Sequence, residues 1–143
     1  MSGPKRADYQ QLLLLPRAVE EWVGPEHVAR FVRDVVDALD LGELGFEVGG
    51  PATGCPGYAD ELLLKVWLYG YLEKVRATRP LERACRERLG LIWLTGDQAP
   101  DHNTLWRFWQ RHGASIRQVF RRVVQVAVAA DLLSLALLTP PGE

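Results

Sequence analysis

The sequence predicts an all-α domain, a compact bundle of about five helices. Apolar residues recur at three- and four-residue spacing along most of the 143-residue chain, which is the period of a half-buried helix. No segment combines period-two alternation with the turn residues that bound strands. Glycine and proline instead collect in short stretches between the periodic segments, and they divide the chain into separate helices.

The bulk composition is that of a globular cytoplasmic protein. Hydrophobic residues make up 48% and charged residues 24% of the chain. No apolar run approaches the roughly 18 residues of a membrane span. Cys55 and Cys85 lie far apart and outside any zinc-binding spacing, so two reduced thiols are expected. The composition therefore predicts neither a membrane location nor a disulfide framework.

The clusters of glycine and proline set the predicted boundaries. In chain order the parts are an N-terminal arm (1–24), a first helix (25–44), a glycine- and proline-rich loop (45–57), a helical core (58–136) and a disordered tail (137–143). The domain itself is 25–136. Pro25 and Glu26 suit the first turn of the first helix, because proline needs no N–H there and a carboxylate complements the helix dipole.

The helical core is centred on the segment 59–77. It is apolar nearly all round, which predicts a central helix covered by its neighbours. Gly70 costs such a helix about 1 kcal/mol relative to alanine, so close packing against another helix is the simplest reason for it. The other predicted elements are a helix from Pro80 to Leu89 that Gly90 stops, a short apolar turn at 91–96, a helix at 102–112 capped by Asp101, and a last helix at roughly 114–136.

The net charge of −1 hides an asymmetry along the chain. Residues 1–75 carry seven Lys/Arg against twelve Asp/Glu, whereas 76–122 carry ten arginines against four acids. The planar fork of arginine binds phosphate and guanine in a way that lysine cannot. The asymmetry favours a nucleic-acid partner over a small-molecule substrate. The alternative is a solvated surface with helix-face ion pairs, such as Glu82–Arg86 and Glu87–Arg83.

The stretch "PDHNTLWRFWQRH" at 100–112 places large apolar and basic residues on one short helix. The side expected to be buried holds Leu105, Phe108, Trp109 and, below them, His112. The donor-rich side offers Asn103, Thr104, Arg107, Gln110 and Arg111. Such donors are expected of a recognition helix in a major groove, and the alternative is a polar face that is only solvated. Trp106 fits either a buried anchor or an exposed ring.

The helix before this stretch adds Arg79, Arg83 and Arg86 to the predicted DNA-binding residues, and we expect it to cross the DNA backbone. The connection 90–101 is too long for the tight turn of an ordinary helix-turn-helix. The sequence therefore predicts a variant of that unit.

Catalytic, metal and cofactor sites are not predicted. The loop 45–57 matches neither G-x-x-x-x-G-K-[ST] nor a helix-opening G-x-G-x-x-G, so no nucleotide site is expected. Asp97 and Asp101 alone cannot supply the convergent oxygen ligands of two-metal chemistry. The three histidines are scattered, and an enzyme acting alone is the weakest of the functional hypotheses.

The segment from "DELLLKVWLYGYLEKVRA" through "LERACRE", "WLTG" and "PDHNT" to "RFWQRH" resembles a known family. In order and spacing it is similar to the InsH-type N-terminal domain of bacterial insertion-sequence DDE transposases, over about residues 10 to 135. The resemblance implies a helical domain that helps to bind the terminal inverted repeats of the element and to assemble the transposase. The motif residues carried over are Arg79, Leu81, Glu82, Arg83, Trp93, Asp101, His102, Asn103, Thr104, Arg107, Phe108, Arg111 and His112. Trp106 and Trp109 depart from the pattern, since the family usually has polar or basic residues there.

The resemblance also implies a catalytic RNase H-like domain after the last helix, whereas this chain ends in "LALLTPPGE". We therefore expect a truncated or frameshifted transposase without catalytic activity, located in the bacterial cytoplasm and bound to the nucleoid. Double-stranded DNA is the expected partner, with another copy or full-length transposase as a further one. The competing hypotheses are a protein-interaction module, which oligomerises or inhibits, and an inert remnant.

Overall fold

Five α-helices form the described part of the chain. The computed structural model describes residues 6, 10, 21, 23–47 and 57–129. The helices are α1 (Val28–Asp37), α2 (Asp60–Leu72), α3 (Thr78–Glu87), α4 (Leu89–Thr95) and α5 (His102–Ala129). Within the described ranges there is no strand. The prediction of a compact all-α domain is confirmed.

Helix α2 is the centre of the fold. Every residue from Leu63 to Leu72 is buried, and α2 contacts each of the other four helices. A helix without a polar stripe is stable in water only when neighbours cover it on all sides. The central position predicted for this segment is confirmed.

Gly70 packs tightly against α3 and against the turn that joins α2 to α3. A Cβ placed there would lie 2.6 Å from the carbonyl oxygen of Val75 and 2.8 Å from the Cδ1 of Leu81 on α3. Real Cβ atoms do not approach neighbours that closely, so only glycine fits without displacing backbone. The predicted reason for Gly70, close packing against another helix, is confirmed.

Helix α1 is shorter than the predicted first helix at 25–44. It starts at Val28, and the ring of His27 caps it, with Nδ1 accepting a hydrogen bond from the backbone N–H of Ala29 at 3.0 Å. Pro25 and Glu26 lie in the turn before it, so their assignment to the first helical turn is wrong. A side-chain acceptor at the cap satisfies one of the N–H groups that have no partner within the first turn of a helix.

The boundary between α3 and α4 also differs from the prediction. Helix α3 ends at Glu87, and Arg88 has an extended backbone with φ −96° and ψ 125°. Gly90, predicted to stop α3, lies inside α4, and α4 replaces the predicted turn at 91–96. A Cβ on Gly90 would lie 2.6 Å from the Tyr69 hydroxyl oxygen, so this glycine serves the packing of α4 on α2.

Helix α5 joins the two helices predicted at 102–112 and 114–136. They run on as one helix that is kinked at His112, where φ is −123° and ψ is 18°. The predicted break is therefore a kink at the same place, just before Gly113. Residues after Ala129 lie outside the described part, and so do 48–56 of the predicted loop, nearly all of the arm and the whole tail.

The kink is packed against the turn that follows α1. The side chain of Ser115 donates a hydrogen bond to the carbonyl oxygen of Leu44 at 2.6 Å. The rings of Phe46 and His112 are 5.0 Å apart, and His112 Nε2 lies 3.3 Å from Oδ2 of the buried Asp60. These contacts fix the direction of the second half of α5. Among the described helices none is long and apolar enough to span a membrane.

Replacing Gly70 with alanine is expected to destabilise the domain by about 1–3 kcal/mol, because overpacking at the α2–α3 contact outweighs the gain in helix propensity. Urea unfolding followed by circular dichroism measures this. The matched control is Gly113→Ala, where a Cβ meets nothing within 4 Å. The control should be neutral or stabilising by up to about 1 kcal/mol. Equal effects of the two substitutions would contradict the packing explanation.

Candidate functional site

Helix α3 presents a stripe of arginines to solvent. Arg79, Arg83 and Arg86 are exposed, and they follow one another at four- and three-residue spacing. The opposite side of α3 contributes Leu81 and Cys85 to the core, both at most 2% exposed. Burial of the apolar side therefore forces the three guanidinium groups outward.

The first half of α5 has the two sides that the sequence predicts. Leu105 and Phe108 are fully buried, and the indole N–H of Trp67 donates a hydrogen bond to the carbonyl oxygen of Leu105 at 3.2 Å. This bond ties the helix to α2. The other side carries the predicted donors, of which Thr104 is half-buried and the rest are exposed: Asn103, Arg107, Gln110 and Arg111.

A polar contact joins α3 to the start of α5. The backbone N–H of His102 donates to Oε1 of Glu82 at 3.0 Å, and Nδ1 of His102 lies 3.2 Å from the same oxygen. The hydrogen bond from the His102 backbone, followed by that from its side chain, lowers the pKa of Glu82. The carboxylate of Glu82 thus pairs with His102 rather than with Arg86, which only adds a longer-range attraction.

Asp101 caps α5 as the sequence predicts. Its Oδ1 accepts a hydrogen bond from the backbone N–H of Thr104 at 2.7 Å. That hydrogen bond lowers the pKa of Asp101, with a smaller contribution from the nearby charge of Arg107. Two carboxylates, Asp101 and Glu82, thus satisfy backbone donors at the beginning of the helix that carries the candidate residues.

The contact between Glu82 and His102 joins the two helices that carry the candidate donors. Arg86 follows Glu82 by one turn on α3, and Trp106 follows His102 by one turn on α5, so both lie on the flanks of their helices nearest the contact. We call the combined surface the α3–α5 surface. Its members are the eight candidate residues Arg79, Arg83, Arg86, Asn103, Thr104, Arg107, Gln110 and Arg111.

Trp106 is exposed next to Arg107 of this surface, whereas the sequence left open whether its ring is buried or exposed. It is 49% exposed. Other tryptophans are covered: Trp67 and Trp109 pack with ring centroids 4.7 Å apart, and Trp93 lies under the guanidinium groups of Arg30 and Arg33. Trp106 is therefore the large aromatic that the described fold leaves facing solvent beside the donors.

The arginines of the basic segment 76–122 lie on the surface. All ten arginines between 76 and 122 are exposed. Some lie close to other side chains, since Arg88 is 3.9 Å from Glu73 and Arg117 lies 5.6 Å from the ring centre of Trp109. Because the arginines of this segment outnumber its four acidic residues, they create a positive potential that attracts anions over about a Debye length.

The described residues include neither a group placed to hold a metal ion nor an activated thiol. Within them, no group of three or more His, Cys, Asp or Glu side chains is placed to hold a metal ion. Cys85 is buried in the core, and burial raises the pKa of its thiol to about 11. A thiol with so high a pKa is a poor nucleophile at neutral pH.

The features so far define a small helical domain with a cationic, donor-rich surface. A protein-family model described as "Transposase domain (DUF772)" matches residues 17–111. This match covers most of the chain, so the protein belongs to the transposase domain family. The matched range contains all five helices or parts of them, including every residue of the α3–α5 surface. Comparisons with curated proteins and with solved structures gave no match.

Loss of the α5 cap is expected to be measurable. Asp101→Ala should destabilise the domain by about 1 kcal/mol, because the N–H of Thr104 loses its acceptor. Asp101→Asn keeps a good capping group and should cost much less, which makes it the matched control. Thermal and urea unfolding of both variants test this, and equal losses would show that the charge rather than the hydrogen bond matters.

The pairing of Glu82 with His102 predicts a pH dependence. Because the folded pKa of Glu82 is lowered, its contribution to stability is present above about 4.5 and is lost as the pH falls through the folded value. Glu82→Gln should flatten that part of the profile of unfolding free energy against pH. Glu87→Gln, at an exposed position on the same helix, is the control and should keep the wild-type profile. Identical profiles for wild type and Glu82→Gln would contradict the pairing.

Proposed function

We propose that this chain is the DNA-binding and assembly domain of an insertion-sequence transposase, of the InsH type found with DDE catalytic domains. In this proposal the α3–α5 surface binds the terminal inverted repeats of the element. Membership of the transposase domain family supports a role in transposition, and the exposed arginines support DNA as the partner. The observation that carries the proposal is the contact between Glu82 and His102, which links the two helices that carry the exposed donors.

The charge on the surface suits a nucleic-acid backbone. Arg79, Arg83 and Arg86 form one cationic stripe along α3. Guanidinium groups bind phosphate oxygens in pairs, and such contacts position a protein on a duplex without reading its sequence. We therefore assign α3 to the DNA backbone.

The first half of α5 suits the major groove. From His102 to Arg111 the helix is about 15 Å long, and a groove about 12 Å wide admits one helix. Arg107 and Arg111 can each bind guanine through two hydrogen bonds, while Asn103 and Gln110 can do so with adenine. We assign these four side chains to base edges, with Thr104 and the helix N-terminus near a phosphate.

The proposed unit differs from an ordinary helix-turn-helix in its connection. Helix α4 and the residues up to Asp101 separate α3 from α5, in place of a short turn. Here the two helices contact each other across this longer connection, and Glu82 and His102 form one of the contacts. The role proposed for these residues is binding, and no catalytic step is assigned to them.

Removal of the two arginines on α5 should weaken DNA binding in a specific way. Arg107→Ala and Arg111→Ala should each weaken the binding free energy by about 1–3 kcal/mol if the arginine contacts a base. If it contacts a phosphate, the slope of log K against log salt concentration should fall by about one. The measurement is fluorescence anisotropy at several salt concentrations. The probes are a duplex selected by the wild-type chain from random sequences and a scrambled version of it.

Two further variants separate the possible causes. Arg107→Lys keeps the charge but cannot form the paired bonds to guanine, so it should lose specificity more than salt dependence. Arg121→Ala removes another exposed arginine, from the second half of α5, and should leave specificity unchanged. The proposal also requires the selected sequence to match an inverted repeat that flanks the coding sequence. Equal weak binding of both probes by the wild-type chain would overturn it.

A further inference from the structure

We infer that Trp106 is a specificity residue, which contacts the C5-methyl group of a thymine in the major groove. The inference rests on the proposed function and extends it to a residue of a type not expected on a polar recognition helix. It is carried by the position and the exposure of the ring rather than by its chemical type alone.

Trp106 lies at one edge of the exposed side of α5, on the flank nearest the contact with α3. Asn103, Trp106, Arg107 and Gln110 follow the i, i+3, i+4, i+7 pattern of one helix face. Asn103 and Gln110 lie in the middle of that face, and the consecutive residues Trp106 and Arg107 lie at its two edges. A helix that brings Arg107 to base edges therefore brings the Trp106 ring into the same groove.

The exposure of Trp106 is not explained by the fold. The residue is 49% exposed, whereas its neighbours Leu105 and Phe108 are fully buried. Among the described residues no ring contact or cation–π contact of Trp106 is found, although Trp67, Trp93 and Trp109 all have such contacts. An apolar ring of this size gains free energy when a partner removes it from water.

The major groove offers one kind of apolar group to such a ring. Base edges there present hydrogen-bond donors and acceptors, except for the C5-methyl group of thymine. The arginines around Trp106 complement the charge of DNA, which favours DNA over an apolar protein partner. The indole ring is thus matched to a thymine placed between bases that Asn103, Arg107 or Gln110 contact.

The experiment removes the methyl group from the DNA and the ring from the protein. The probes are the duplex selected by the wild-type chain and copies in which single thymidines are replaced by deoxyuridine. At one position the wild-type chain should bind the deoxyuridine copy about threefold to fivefold more weakly, as expected for one buried methyl group. Trp106→Ala should weaken binding to the thymidine duplex and show no difference between the two copies.

The control is Gln110→Ala, which should weaken binding while keeping the difference between thymidine and deoxyuridine. Thermal unfolding checks that each variant is folded, as expected for exposed positions. If Trp106→Ala binds the selected duplex as tightly as the wild type, or weakens binding equally for both copies at every position, the inference is overturned. The proposed function still stands in both cases. If the wild-type chain selects no sequence, the proposed function fails first.

Discussion

The burial of α2 is the constraint on which the rest of the structure depends. From Leu63 to Leu72 this helix is buried on every side, and every other described helix packs against it. Gly70 lets α3 approach, Gly90 lets α4 approach, and Trp67 donates a hydrogen bond to α5. The positions of α3 and α5 on the outside of the domain follow from the way in which they cover α2.

Two polar contacts then hold the start of α5, and one of them links it to α3. Glu82 accepts hydrogen bonds at the start of α5, and Asp101 caps the same end. Both carboxylates have lowered pKa values because they accept bonds from backbone N–H groups that the helix itself cannot satisfy. The residues that position the candidate surface are thus acidic, although the surface itself is basic.

The kink at His112 separates the two halves of α5 by role. The first half carries Asn103, Arg107, Gln110 and Arg111, and Trp67 anchors it to α2. The second half buries Ile116, Val119 and Val123 in the core. Because the ring of His112 packs against Phe46 and lies beside Asp60, the kink is held by the turn after α1 and by the beginning of α2. The direction of the exposed face therefore depends on residues far from it in sequence.

The sequence by itself determined the fold class, the central helix, the reason for Gly70, the cap at Asp101 and the two sides of the stretch 102–112. These features depend on apolar spacing and on local hydrogen bonds, which neighbouring residues encode. It misplaced the start of α1, the end of α3 and the role of Gly90, because His27, Arg88 and Tyr69 decide those points through local caps and packing.

Only the tertiary structure decided the pairing of Glu82 with His102, the exposure of Trp106 and the contact between α3 and α5. Glu82 and His102 are 20 positions apart, so no local pattern relates them. The sequence around Trp106 fits either a buried or an exposed ring, and its exposure depends on which side of α5 the core covers. Contacts between helices are set by the packing of the whole domain around α2, and helical spacing alone does not contain that information.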